Sequence, residues 1–77
     1  MELYIVTSLI NGFFETTQIY TKKDSATARF QAERQTILRS LEEDERIDED
    51  TTNEFIVYKG HHVSYQLVLT TRSLHNQ

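Results

Sequence analysis

The sequence predicts an α+β fold in which one long helix packs on one face of a four-stranded, mainly antiparallel sheet, in the order β-β-α-β-β. Three observations carry this. Stretches rich in β-branched and aromatic residues flank Asn11-Gly12. Two more such stretches flank Gly60-His61. Between the pairs runs a long segment free of Gly and Pro, with apolar residues at helical spacing. A length of 77 residues makes 1–77 a single domain.

The first strand is expected over 3–10 and its return over 13–20, because Asn-Gly tolerates the positive φ of a type I′ hairpin turn. A two-residue loop sets Leu9 opposite Phe14, Ile5 opposite Gln18 and Leu3 opposite Tyr20. A three-residue loop shifts that register, and both faces are partly apolar, so the pattern leaves the hairpin's core face open.

The helix is expected over 22–46. Thr21-Lys22-Lys23-Asp24 has the spacing of a capping box, and Asp24 is a competing N-cap. Ala26, Phe30, Ile37, Leu38 and Leu41 share one face, while Gln31, Gln35, Arg39, Glu42 and Glu43 lie on the other. Arg34 falls inside the apolar stripe. It reads as a stem snorkelling at the core's edge, with a charge held for a partner as the alternative.

Residues 47–53 read as a polar connection. The run Phe55-Ile56-Val57-Tyr58 in a strand over 54–59 points to burial on both faces. Over 62–72, Val63, Tyr65, Leu67 and Leu69 alternate with Ser64, Gln66, Val68 and Thr70, which defines a core face. Paired across a Gly60-His61 turn, Tyr58 and Ile56 join that face. Phe55, Val57 and Val68 then fall on the second face, which no helix covers. Such an apolar patch exceeds what a small monomer normally exposes, so these three residues mark an expected homodimer interface. The tail from Ser73 to Gln77 is expected to fray.

Composition narrows the function classes. Twelve acidic against eight basic residues give a net charge of −4, which opposes general nucleic-acid binding. No Cys is present, which excludes disulfides and thiolate metal sites and fits a reducing cytoplasm. No apolar run reaches the roughly 18 residues of a membrane span, and the N-terminus lacks the basic flank of a signal peptide. The expectation is a cytoplasmic protein without membrane contact.

The candidate binding residues form an acidic segment. Glu42, Glu43, Asp44, Glu45, Asp48, Glu49 and Asp50 place seven carboxylates in nine positions, some at a helix C-terminus where negative charge opposes the macrodipole. A basic protein partner suits this patch, and a solvated helix end is the plainer reading. A calcium loop starting at Asp48 fails: Thr52 stands at the third ligand, Asn53 replaces the turn Gly, and Lys59 occupies the bidentate Glu position. His61 and His62 point to opposite faces of a strand and cannot readily chelate one ion, so no metal or cofactor is expected. No phosphate-binding glycine loop or nucleophile elbow occurs, and the expectation is that the chain is not an enzyme. Tyr4, Tyr20, Tyr58 and Tyr65, with Lys22, Lys23, Arg29, Arg34, Arg39 and Lys59, supply the alternative of a nucleic-acid-associated regulator. An acidic mimic of nucleic acid that inhibits a basic protein is a further alternative. The sequence best fits a non-enzymatic interaction module, self-associating through its open sheet face, with the acidic segment steering a basic partner.

Overall fold

Asn11 and Gly12 take φ of 53° and 72°, the left-handed values that Asn and Gly tolerate best, and turn the chain between β1 (Glu2–Ile10) and β2 (Phe14–Tyr20). Ile10 pairs with Phe14 and Tyr4 with Tyr20. The register is therefore one residue later than a two-residue loop gives, and Ile5 faces Ile19 rather than Gln18. In the computed structural model the described residues are 1–12 and 14–74, with Phe14 described by its backbone alone. The expected strand start at Phe13 and the end of the tail, residues 75–77, lie outside them.

Helix α1 spans Lys23–Arg39 and is shorter than the expected 22–46. Its N-cap is Lys22, whose side chain makes no capping hydrogen bond, so the capping box at Thr21 and Asp24 does not form. At the other end the Ser40 hydroxyl donates to the Thr36 and Ile37 carbonyls, and the Ser40 N–H donates to Ile37 O at 3.0 Å. These bonds occupy the carbonyls that a continuing helix would use. The chain then reverses: Glu42 N–H donates to Glu45 Oε1 and Glu45 N–H donates to Glu42 O.

The expected polar connection is corrected by a fifth strand. Glu45–Asp50 forms β3, paired antiparallel with β4 (Glu54–Lys59). With β5 (His62–Ser73) the sheet has five strands in the order β2-β1-β5-β4-β3, and every pair is antiparallel. The chain order is β-β-α-β-β-β. The helix connects one edge strand of the sheet to the other and packs on β5, β1 and β2.

The faces of β4 are also the reverse of the expectation. Gly60, at φ 63°, and His61 make the two-residue turn, and Tyr58 does pair with Val63. The register then shifts, so Val57 pairs with Tyr65, Phe55 with Leu67 and Ile56 with Gln66. Ser64 is the extra residue of a β-bulge. One extra residue exchanges the faces of everything beyond it. Phe55 and Val57 are thus fully buried on the helix side, with Val6, Ala26, Phe30, Ile37 and Leu67. Leu38 and Leu41 pack against this cluster, Leu41 from beyond the helix end. Ile56 and Tyr58 turn to the other face, where Val68 lies as expected.

The molecule is long and narrow, 49 × 20 × 18 Å. Its radius of gyration is 13.5 Å. A rounded domain of this length would have about 11.5 Å. Elongation leaves much of a small chain's surface uncovered. Among the described residues, no helix is long and apolar enough to cross a membrane.

Candidate interaction surfaces

Three surfaces gather the side chains that could act: the open face of the sheet, the acidic segment, and a groove between the helix and the first hairpin.

The open face follows from the register. Val6 pairs with Leu69 toward the helix, so their neighbours on each strand point away. The face presents Leu3, Ile5 and Leu9 from β1, Ile19 from β2, Val68 from β5, and Ile56 and Tyr58 from β4. Thr7, Thr17, Gln66 and Thr70 are interleaved with them. Most of these aliphatics are half-buried by their own neighbours, but Ile19 on the edge strand is 61% exposed. Of the three expected interface residues, only Val68 belongs to this face. Phe55 and Val57 are core.

The acidic segment is a turn and an edge strand rather than a helix end. Four of its seven carboxylates are engaged within the chain. Lys59 Nζ lies 2.9 Å from Glu42 and 3.7 Å from Asp44, and Glu45 accepts from the Glu42 backbone. The hydrogen bond to Glu42, then the field of Asp44, keeps Lys59 protonated above its usual range. Asp50 takes both ends of the Arg34 guanidinium, Nε to Oδ1 at 2.8 Å and Nη2 to Oδ2 at 2.6 Å. Glu43, Asp48 and Glu49 make no ion pair among the described residues. Three of the seven carboxylates thus tie β3 and its turn to the rest of the fold, and a fourth, Glu45, closes the turn itself.

Arg34 resolves as a core-edge residue with an internal partner. Its guanidinium sits 5.4 Å from the centre of the Phe55 ring while gripping Asp50, so it covers the edge of the core between helix and sheet. Hydrogen bonding from Arg34 holds the Asp50 carboxyl below the usual carboxylate range. A carboxyl depressed in the folded state contributes stability above its unfolded value of about 3.9, and that stability is lost as pH falls through the lower folded value. The melting-temperature gap between wild type and Asp50→Asn is therefore expected to be widest near neutral pH and to close below about pH 4. Thermal melts of the two proteins across this range test it, and a gap independent of pH would remove the ion pair as its cause.

The groove has a volume of about 500 Å³ and is lined by Ser8, Ile10, Thr16, Arg29, Glu33 and Tyr65 among others. Arg29 Nε donates to Glu33 Oε1 at 3.0 Å. Two of the hydroxyls lining the groove, those of Thr36 and Ser40, donate to carbonyls of the helix itself. His61 and His62 are exposed at the β4–β5 turn, and His75 lies outside the described residues. Among the described residues no three histidine or carboxylate side chains converge as metal ligands would.

The tyrosines do not form one stacking platform. Tyr4, Tyr20 and Tyr65 pack against the core on the helix side. Tyr58 alone faces the open side, under Arg46 at 5.5 Å from its ring centre. Arg29, Arg34 and Lys59 are each paired with a carboxylate. The four tyrosines therefore do not share one face, and half of the six cations named for the nucleic-acid alternative are held by carboxylates of the same chain.

No family model, curated protein or solved structure matches this chain.

Proposed function

We propose that this chain is a small non-enzymatic protein-interaction module that self-associates through the uncovered side of its sheet. The observation that supports this is the one-sided cover: a single helix over one face, and aliphatics from four strands on the other. Burying apolar area supplies the driving force for association, roughly 25 cal/mol per Å² before the costs of docking. The unpaired carboxylates Glu43, Asp48 and Glu49 stand on the rim, where they would steer a basic protein partner without adding much affinity. The absence of Cys suits a reducing cytoplasm.

The first test is mass. Light scattering at micromolar concentration is expected to give about twice the 9.1 kDa of one chain. Ile19→Glu places a charge on the most exposed aliphatic of the face and is expected to return the mass to that of one chain, with the circular dichroism unchanged. A wild-type protein that remains a single chain at all accessible concentrations would defeat the self-association reading.

A further inference from the structure

The two edges of this sheet differ, and the difference points to how copies meet. An edge strand presents a row of unpaired N–H and C=O groups, and proteins guard such edges with charge and bulges. β3 carries both devices. Five of its six residues are charged, and its register breaks between Ile47 and Glu49. β2 carries neither. Its seven residues include one charge, Glu15, and its pairing to β1 is regular from Tyr20 to Phe14. Among the described residues, no strand lies on its other side. Ile19, the most exposed aliphatic of the open face, sits on this edge, where one more strand would flank it.

We propose that two copies pair through β2, strand against antiparallel strand, about a two-fold axis at Thr17. The inference rests on the self-association reading and confines the contact to the β2 margin of the open face, so the rest of that face stays uncovered in the pair. Thr17 is the middle residue of the strand, so an axis there keeps all seven residues paired. It sets Thr17 against its own copy, a favourable cross-strand pair. Ile19 then lies opposite the partner's Glu15, so the two Glu15 carboxylates do not meet. Gln18 lies opposite the partner's Thr16 on the helix side. The product is a sheet of ten strands whose outer edges are both β3, charged and bulged. Further strand addition is blocked there, and the assembly closes at two copies. Pairing through β3 instead would bring two acidic strands together.

Charge exchange at the axis tests this. Thr17 is exposed, so Thr17→Lys and Thr17→Glu are expected to leave the fold intact, which circular dichroism verifies. Each variant alone sets like charges against each other and is expected to halve the mass measured for wild type. An equal mixture of the two is expected to restore the two-chain mass as a mixed dimer. Val68→Lys, on the open face of the third strand from that edge, is expected to stay two-chained. Hydrogen exchange gives an independent readout: β2 amides of wild type should gain protection with concentration, and those of β3 should not. A two-chain Thr17→Lys protein, or a mixture that stays single-chained, would overturn the edge contact. If Val68→Lys dissociates while Thr17→Lys does not, the copies meet face to face, and the self-association reading stands without the edge. If wild type never exceeds one chain, both fall.

Discussion

Phe30→Ala is expected to remove about 3–5 kcal/mol of stability. Phe30 is fully buried at the middle of α1, between Ala26 and Ile37 on the same helix stripe. On the sheet side the same cluster holds Val6 and Leu67. Truncation loses the transfer free energy of the ring and leaves a void that a rigid sheet cannot close. A chain of this size has only about 4–12 kcal/mol in total, so a single void consumes much of it. Gln31→Ala, one position on and exposed, is the control and should change stability by less than about 0.5 kcal/mol. Urea unfolding of the two variants measures the difference directly. Equal losses would mean that the helix is rotated from the orientation described.

Local chemistry made the helix face and the turns legible. Ala26, Phe30 and Ile37 recur at helical spacing and are buried, and the residues at Asn11-Gly12 and Gly60 do adopt positive φ. The helix end was not legible, because most of Leu41 to Glu45 are ordinary helix formers, while the bonds found there, from the Ser40 hydroxyl and N–H and across the Glu42–Glu45 turn, leave no mark in the pattern. Strand β3 was hidden for a related reason. Its one aliphatic, Ile47, gives no alternation, and its charges are those an edge strand uses for protection. A signal for it did exist. The unbroken Phe55-Ile56-Val57-Tyr58 run reads as a strand buried on both faces, and such strands usually have a neighbour on each side. Only charged segments remained to supply the second neighbour. The acidic residues themselves were legible as a cluster. Which of them engage Lys59 and Arg34 depends on folding contacts 15 to 17 residues apart, which no local pattern encodes.

The bulge at Ser64 had the largest consequence, and it sets the second expected result. Phe55→Ala should cost about 3–5 kcal/mol, while Ile56→Ala, its immediate neighbour, should cost much less. Alternation alone cannot say which of the two is inside, since both are apolar and either register satisfies the turn. The bulge decides it: with Ser64 unpaired in the ladder, Phe55 pairs with Leu67 toward the helix and Ile56 with Gln66 away from it. Phe55 is then completely enclosed, with the Arg34 guanidinium across its ring, whereas Ile56 remains half-exposed on the open face. Removing the ring would open a void and also strip Arg34 of the surface it lies on, so the Arg34–Asp50 pair loses its support. Removing the Ile56 side chain takes away area that is already partly in water. Paired urea titrations give the ratio of the two losses. A larger loss at Ile56 than at Phe55 would place the bulge elsewhere, return Phe55 to the open face, and require the proposed interaction surface to be redrawn around it.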